Sequence, residues 1–237
     1  MYTGSEQYYD DLYATIGKDY AEETEKLHGF IQKHKNTDGN TLLDVACGTG
    51  RHAGYLSQYY QVEGIDLNPN MLKVARKKHP DIRFAQGDMR NFSLHRQFDV
   101  ITSLFSAIGY MTTKIDLARA FKNMSRHLVP GGVLIVEPWF TPEQWHLGRV
   151  TATQVDKSDR KIVRMSHSRK KGRVSIIHFE YLIGTPKGID HIVEQLDLGL
   201  FSHAEYMEAL KKAGLNITHD PEGIYGRGLY IGTKPME

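Results

Sequence analysis

Alternation of apolar runs with helical periods along the first 137 residues constrains the fold more than any other feature of this chain. The apolar runs predict five strands, at 41–46, 62–65, 82–85, 99–104 and 133–137. Helical spacing of apolar residues and cap residues predict helices at 19–35, 51–59, 69–78 and 114–128. Strands that alternate with helices pair in parallel, and a parallel sheet needs helices on both faces. The sequence therefore predicts an α/β fold with a doubly wound parallel sheet.

The pattern changes after the fifth predicted strand. From about residue 150 to residue 200, apolar and polar residues alternate, as in the runs 161–165 and 174–179. Turn signals at Lys171-Gly172 and at 185–188 separate these runs, which is typical of β-hairpins. A helix at 202–213 and two short strands follow. The sequence thus predicts an antiparallel β-hairpin cap inserted at 138–200, within a single domain of residues 1–237.

Composition excludes several classes of protein. The 30 basic and 28 acidic residues leave a net charge of +2, which argues against a dedicated nucleic-acid or membrane-surface binder. The single cysteine excludes an intramolecular disulfide and Cys-based zinc sites, and the 12 histidines show no ligand-like pairing with carboxylates. We therefore predict no metal site.

The chain also lacks sequence signals for a membrane or for secretion. No run approaches the ~18 apolar residues of a membrane helix, and the acidic amino terminus has no basic-then-apolar signal pattern. We expect a cytoplasmic protein, and the sequence leaves a homodimer open.

A glycine-rich loop, Asp44-Val-Ala-Cys-Gly48-Thr-Gly50, follows the first predicted strand. Its glycines let the backbone approach a ligand closely and present N–H groups to an anion. The spacing from Gly48 through Gly50 to Ala53 also fits a dinucleotide-binding fingerprint. The loop alone therefore does not identify its ligand, and a plain tight turn stays open.

Acidic residues at three strand ends help to choose the ligand. Asp44, Asp66 and Asp88 lie at the ends of the first, second and third predicted strands, where open α/β sheets bind ligands. A carboxylate beside the glycine loop repels a pyrophosphate, whereas a ligand with an ammonium group accepts both. S-adenosylmethionine is such a ligand. Asp66 would take its ribose hydroxyls and Asp88 with Met89 its adenine, while a nicotinamide oxidoreductase is the remote alternative.

The series LLDVACGTG, VEGIDL, GDM and LVPGGVLIVE, between residues 41 and 137, resembles the class I S-adenosylmethionine-dependent methyltransferases. This resemblance implies a Rossmann-like sheet and S-adenosylmethionine as the cofactor. One residue departs from the family, because Ala46 replaces the first glycine of the usual loop. Since alanine tolerates positive φ poorly, we expect the turn there to differ slightly or to keep φ negative.

A narrower resemblance covers nearly the whole chain. It rests on Tyr2 with Tyr9-Asp10, Gly17-Lys-Asp-Tyr20, Leu104-Phe-Ser-Ala-Ile-Gly-Tyr110, Val136-Glu-Pro-Trp139, Ser166-His-Ser168, Leu200-Phe201 with Glu205-Tyr206, and Gly226-Arg-Gly-Leu229. These motifs resemble the nucleotide-linked 3-amino-sugar N,N-dimethyltransferases that make the dimethylamino sugars of macrolide antibiotics. The family implies two successive methylations of a sugar amine carried on thymidine diphosphate.

The loops and the resemblance together predict the site residues. The cofactor would be bound by Tyr9, Tyr20, Asp44, Ala46, Gly48, Gly50, Asp66, Leu67, Met71, Asp88, Met89 and Leu104. The resemblance implies that Tyr2 and Tyr110 flank the amine and that Trp139, His167 and Arg227 bind the substrate. Arg227, between two glycines, would meet the diphosphate, although a plain turn arginine stays open.

The expected chemistry is a direct displacement in which the sulfonium loses its charge as the amine gains one. Catalysis would come from positioning and from exclusion of water, with no obligatory general base. His167 and Glu137 are lesser candidates for a base. Another small-molecule amine is the main alternative acceptor. A nucleic-acid base methyltransferase is disfavoured, because Leu104-Phe105-Ser106 stands where that class carries a Pro-Pro-aromatic loop.

Overall fold

The computed structural model describes residues 3–236, which form two β-sheets and the helices packed on them. The helices are α1 (Tyr9–Thr15), α2 (Tyr20–His34), α3 (Arg51–Leu56), α4 (Pro69–Lys78), α5 (Lys114–Arg126) and α6 (His203–Lys212). The strands are β1 (Thr41–Val45), β2 (Gln61–Asp66), β3 (Arg83–Gln86), β4 (Phe98–Ser103), β5 (Leu128–Val136), β6 (Val150–Asp156), β7 (Lys161–Lys171), β8 (Val174–Thr185), β9 (Gly188–Gly199), β10 (Asn216–Asp220) and β11 (Leu229–Thr233).

The larger sheet has seven strands in the order β10-β11-β5-β4-β1-β2-β3. Strands β1 to β5 pair in parallel, and β11 runs antiparallel to both β5 and β10. The order reverses beside β1, which pairs with β2 on one side and with β4 on the other. This confirms the predicted doubly wound sheet. A ligand crevice is expected at this switch point, outside the carboxyl ends of β1 and β4.

The core lies on both faces of this sheet. Successive residues of a strand point to opposite faces, so neighbours in the sequence enter different clusters. The row Leu42, Val100 and Val133 is buried under one layer of helices. The next row, Leu43, Ile101 and Leu134, is buried under the other layer. Burial on both faces explains why β1 and β4 read as continuous apolar runs rather than as alternating ones.

Cap residues fix the start of α4 at the edge of the crevice. The side chain of Asn68 accepts hydrogen bonds from the backbone of Asn70 at 2.9 Å and of Met71 at 3.4 Å. Pro69 occupies the first helical position, where its missing N–H leaves no helical bond unmade. The predicted helix at 69–78 and its cap are therefore confirmed.

Strand β5 differs from its predicted limits. The sequence predicts a helix through residue 128 and a strand from residue 133, whereas β5 already begins at Leu128. Phe98 pairs with Leu128 and Val100 with Val133, so the register shifts between the two pairs. The irregular stretch holds Pro130, which has no N–H to donate. The residues between 128 and 133, which the sequence predicts as a loop between helix and strand, thus form an irregular part of β5.

The second sheet is antiparallel, with the order β6-β7-β8-β9, and lies within the predicted insert at 138–200. Its strands are longer than predicted, and the turn signals at 172 and at 185–188 do separate them. Phe179, Tyr181 and Leu198 on its inner face pack with Leu12 of α1 and Met71 of α4. The insert therefore covers the carboxyl side of the larger sheet, with the amino-terminal segment packed between them.

Candidate active site

A cavity of about 440 Å³ lies where the two sheets face each other. Its walls come from the loops after β1, β2, β3, β4 and β5, from the amino-terminal segment, and from the inner face of β8 and β9. A smaller cavity of about 40 Å³ shares Ala46, Gly48 and Leu104 with it and adds Asp44 and Tyr20. The two cavities therefore occupy the crevice at the switch point of the sheet.

Asp66, at the end of β2, joins the loop after β1 to the start of α4. Its Oδ2 accepts a hydrogen bond from the Gly48 backbone at 2.8 Å, and its Oδ1 accepts one from Asn68 at 2.8 Å. Burial raises the pKa of Asp66, while these backbone donors act in the opposite direction. The carboxylate is thus held on the cavity wall, where hydroxyl groups of a ligand can reach it.

Asp44, in β1, is the second carboxylate of this region. It is buried, and its Oδ1 accepts a hydrogen bond of 2.9 Å from the Thr102 hydroxyl of the neighbouring strand. Burial raises the pKa of Asp44 to about 6, although the nearby His52 opposes the shift. A carboxylate in this state gains stability from a cationic group brought beside it.

The loop after β1 contains a residue in the left-handed region. Ala46 has φ +61°. The negative φ that we gave as one of two alternatives is therefore wrong, and the other alternative, a slightly different turn, stays a prediction. Hydrogen bonds on either side hold the turn, from Cys47 N to Ile65 O at 2.9 Å and from Gly48 N to Asp66. An L-residue in this conformation costs roughly 1 kcal/mol, which the surrounding contacts offset.

The loop after β3 supplies one side of the larger cavity. Asp88 there receives hydrogen bonds from Arg90 Nε at 3.0 Å to each carboxylate oxygen. This interaction with Arg90 lowers the pKa of Asp88, so the carboxylate stays charged. Met89 beside it is buried, and the chain offers a carboxylate next to an apolar surface, a combination that suits a purine ring with an amino group.

Tyrosines form the wall contributed by the amino-terminal segment. The rings of Tyr9 and Tyr13 lie 4.5 Å apart, and Tyr13 meets Phe105 at 4.8 Å. Tyr110, after β4, lines the same cavity. Burial raises the pKa of Tyr9 and of Tyr110 well above the usual range of a phenol. Both side chains are therefore neutral, able to orient an amine by hydrogen bonding but not to act as anionic bases.

Arg227 reaches the cavity from the loop before β11 and meets a strained loop after β4. Its Nη1 donates a hydrogen bond of 2.7 Å to Ser106 Oγ, and that hydroxyl donates to Pro138 O at 2.6 Å. Phe105 and Ser106 have φ +51° and +58°. The Phe105 N–H donates to Glu137 Oε2 at 2.7 Å, which helps to hold this conformation. Glu137 is thus buried behind the loop rather than in the cavity wall.

Comparisons with known proteins decide the family. Residues 42–132 match a family described as "Methyltransferase domain". The chain is 38% identical to the dTDP-3-amino-3,6-dideoxy-alpha-D-glucopyranose N,N-dimethyltransferase of Streptomyces fradiae, over 94% of this chain and 88% of that protein. The chain belongs to the sugar N,N-dimethyltransferase family of S-adenosylmethionine-dependent methyltransferases.

Solved structures agree with this family. The structure of Streptomyces venezuelae DesVI matches this methyltransferase with a TM-score of 0.92 and 37% identity, over 99% of this chain and 100% of that chain. An S-adenosylmethionine-bound amino pentose methyltransferase from Micromonospora echinaspora, involved in calicheamicin biosynthesis, matches with a TM-score of 0.86 and 35% identity, over 99% and 98%. The predicted cofactor, S-adenosylmethionine, is confirmed.

The residues of this methyltransferase fit that cofactor. The Asp66 carboxylate and the buried Asp44 offer partners for its polar groups, and Met89 offers an apolar surface for its adenine. Of the predicted cofactor-binding residues, the larger cavity is lined by Tyr9, Ala46, Gly48, Asp66, Leu67, Met71, Asp88, Met89 and Leu104. Tyr20 and Asp44 line the smaller cavity. Of the predicted substrate-binding residues, Trp139 and Arg227 line the larger cavity.

Two predicted residues of the methyltransferase lie elsewhere, and one lies outside the described residues. Gly50 is the N-cap of α3 with φ +75°, a Cβ there would approach the Phe84 ring to 3.0 Å, and the residue lines neither cavity. His167 is exposed on the outer face of the second sheet, opposite His178, because the inner face of β7 carries residues of the other parity such as Ile162. Tyr2 lies outside the described residues.

Sequence reasoning missed several residues of the cavity wall. They are Tyr13, Ile16, Phe105, Ser106, Arg90, Phe140, Ile177, Phe179, Leu196 and Leu198. Alternation along β8 and β9 could have grouped the last four on one face, but it does not say which face points inward. The positive φ of Phe105 and Ser106 left no signal, since neither residue type favours that conformation.

Two features are absent from residues 3–236. No group of three or more His, Cys, Asp and Glu side chains in this part of the chain is arranged to hold a metal ion. Among the helices of the same residues, none is both long enough and apolar enough to cross a bilayer.

Proposed function

We propose that this enzyme transfers methyl groups to the amine of a nucleotide-linked amino sugar and forms the N,N-dimethylamino product. The observation that carries this proposal is that Arg227 enters the same cavity as Asp66 and Asp88. The cavity thus combines groups suited to the methyl donor with a cation suited to a diphosphate. A relative from Streptomyces venezuelae, 38% identical over 94% of this chain and 95% of that protein, is a dTDP-3-amino-3,4,6-trideoxy-alpha-D-glucopyranose N,N-dimethyltransferase.

The bound cofactor supplies a methyl group on a positively charged sulfur. In the transfer, a bond forms between the amine nitrogen and the methyl carbon as the sulfur–carbon bond breaks, and the amine proton leaves to water. Because no net charge is created, the enzyme's main contribution is to hold the two reactants in line, which is worth up to ~7–11 kcal/mol.

Aromatic and apolar side chains prepare the acceptor amine. The amine must be neutral to attack, and Tyr9, Tyr110 and Phe179 give the cavity walls of low polarity. Such walls disfavour the ammonium form and so lower the pKa of the amine. The neutral phenol of Tyr110 orients the amine. We propose the same positioning role for Tyr2, and no general base is required.

The test is incubation with S-adenosylmethionine and a panel of thymidine-diphosphate-linked 3- and 4-amino sugars, read by mass spectrometry. We expect products that carry two added methyl groups. A set of free amino sugars and other small amines serves as the matched comparison. Methylation of a compound from that set alone, with no nucleotide-linked product, would show a different acceptor for the same methyltransferase.

The charged donor and acceptor are metabolites of the cell interior, and we propose the cytoplasm as the compartment of the reaction.

We also propose a homodimer through the outer face of the second sheet. Val163, Met165, Leu182 and Val193 there are 40%, 50%, 52% and 51% exposed, and a two-fold axis would pair them with the same residues of a second copy. Leu182→Glu should then yield a monomer in light scattering.

A further inference from the structure

Glu23, in the first turn of α2, accepts hydrogen bonds from three separate segments of the chain. Lys18 Nζ, ahead of α2, donates to its two oxygens at 2.7 and 2.8 Å, and His52 Nε2 of α3 donates to Oε2 at 2.6 Å. The hydroxyl of Tyr225, in the loop before β11, donates to Oε1. The side chains of Glu23 and Lys18 are 1% and 4% exposed. These four residues form what we call the Glu23 cluster.

The carboxylate of Glu23 stays charged although it is buried. Burial by itself raises the pKa of a carboxyl group, but the hydrogen bonds and charges of His52 and Lys18 outweigh this effect and lower the pKa of Glu23. An ionised carboxylate can accept from several donors at once, and its removal leaves those donors without their partner. The orientation of the three donors therefore depends on Glu23.

Two members of the Glu23 cluster reach the walls of the cavities. His52 lines the smaller cavity together with Asp44. Lys18 Nζ lies 3.9 Å from the ring centroid of Phe105, and that ring lines both cavities. A cation at this distance is attracted to the face of the ring. Because Phe105 has φ +51°, a conformation that few L-residues adopt, the contact with Lys18 helps to hold the ring in place.

The third donor fixes the loop that carries Arg227. Tyr225 precedes Arg227 by two residues and lines neither cavity. Its hydroxyl ties the loop to α2, while the side chain of Arg227 enters the larger cavity. Gly226 between them has φ +75°, which glycine adopts without steric strain. The hydrogen bond to Glu23 thus restrains a loop whose glycine leaves the backbone free to move.

We propose that Glu23 is a positioning residue for the methyl transfer and orders both sides of the site. Through His52 and Lys18 it holds the walls of the two cavities. Through Tyr225 it holds the loop that carries Arg227. Glu23 itself lines neither cavity, so it acts only through these partners. The inference rests on the proposed function in one respect, because it takes Arg227 to bind the acceptor.

Tyr225→Phe and Glu23→Gln separate the two sides. Tyr225→Phe removes one hydroxyl, and we expect the KM for a thymidine-diphosphate-linked amino sugar to rise about fivefold, with kcat and the affinity for S-adenosylmethionine unchanged. Glu23→Gln should raise this KM and also weaken the binding of S-adenosylmethionine in calorimetry. Each effect should be about tenfold, the size expected when a hydrogen bond to a charged group is lost.

Two further variants sharpen this comparison. The combined variant should raise the KM by less than the product of the two single effects, since both substitutions act on one contact. Glu22→Gln is the matched control, because it makes the same substitution at the exposed neighbour on α2. We expect it to keep the parent values of KM and of the affinity for S-adenosylmethionine.

Hydrogen exchange gives a readout that needs no acceptor. Residues 222–228 should exchange faster in Glu23→Gln and in Tyr225→Phe than in the parent and in Glu22→Gln. Unchanged exchange there, or single effects on KM that multiply in the combined variant, would overturn the positioning role even if amino sugars are methylated. If Glu23→Gln does not fold, parent values of KM and of exchange in Tyr225→Phe would overturn it as well. Faster exchange with no methylation of any nucleotide-linked sugar would instead keep the role of Glu23 and reject the proposed function.

Discussion

The carboxylate of Glu194 on β9 accepts a hydrogen bond of 2.8 Å from the hydroxyl of Ser5, a residue 189 positions earlier in the chain. Its other oxygen accepts from the backbone of Ser5 at 3.1 Å and of Thr3 at 2.8 Å. Glu194 is 3% exposed. One buried carboxylate thus fixes the amino-terminal segment to the second sheet. Because this segment carries Tyr9 and Tyr13 into the cavity, the contact also sets one wall of the site.

Glu194→Ala should release this segment. The substitution removes the acceptor of three hydrogen bonds, and each buried donor left unpaired costs about 1–3 kcal/mol. We expect faster hydrogen exchange in residues 3–16 and weaker binding of S-adenosylmethionine as the tyrosine wall loosens. Glu208→Ala, at an exposed carboxylate on α6, is the control. Unchanged protection of residues 3–16 in Glu194→Ala would contradict this prediction.

The affinity for S-adenosylmethionine should rise with pH through about 6 because of Asp44. Burial raises the pKa of Asp44 to about 6, so the carboxyl of the free protein takes up a proton below that pH. An ammonium group beside it favours the charged form, and binding therefore strengthens as the proton is lost. Asp44→Asn should bind weakly and lose this step in calorimetric titrations. Asp197→Asn, at an exposed carboxylate on β9, should keep it.

The raised pKa of Asp44 also predicts how the free energy of unfolding of the ligand-free protein changes with pH. The pKa of Asp44 is higher in the folded chain than the ordinary value of ~3.9 for an unfolded aspartate. The folded state therefore binds the proton more tightly. The contribution of this group to the free energy of unfolding is then largest at low pH and decreases as pH rises from about 4 to about 6. Urea titrations of the parent and Asp44→Asn should differ in this window.

Arg227 should affect nucleotide-linked acceptors far more than free ones. Arg227→Ala removes the guanidinium, and we expect the KM for a nucleotide-linked amino sugar to rise at least tenfold, as a charge-assisted contact is lost. The KM for the free amino sugar should change little. Ser106→Ala removes only the hydroxyl that receives Arg227 Nη1 and should give a smaller effect in the same direction. Equal changes for both kinds of acceptor would contradict this assignment.

Ala46→Gly should stabilise the protein. Ala46 has φ +61°, a conformation in which glycine pays no steric penalty, and we expect the free energy of unfolding to rise by about 1 kcal/mol. Ala53→Gly is the matched comparison, since Ala53 is buried inside α3 and glycine in a helix costs about 1 kcal/mol. Urea unfolding should therefore show opposite signs for the same chemical change.

The sequence predicted the part of the cavity wall that follows the parallel strands better than the part from the second sheet, and topology explains the difference. Residues such as Asp66 and Asp88 follow parallel strands, whose carboxyl ends meet at one edge of the sheet, so strand prediction alone brings them together. Contacts such as Ser5 with Glu194 join distant segments through hydrogen bonds that no local pattern records. In the second sheet, the alternation of apolar and polar residues separates the two faces but does not show which face points to the cavity. His167 lies on the outer face.

The inner face of the second sheet and the rings of Trp139 and Phe140 in the cavity wall come from one continuous stretch of chain, between β5 and α6. The donor loops are built from earlier residues that the larger sheet holds in place. Mutations at Ile177, Phe179 or Leu198 can therefore alter the shape of the cavity on the side of the second sheet while the loops of the larger sheet keep their geometry. Residues 138–200 form one continuous unit on the larger sheet, and we expect that grafting this stretch from a relative changes the preferred acceptor while the loops of the larger sheet stay the same.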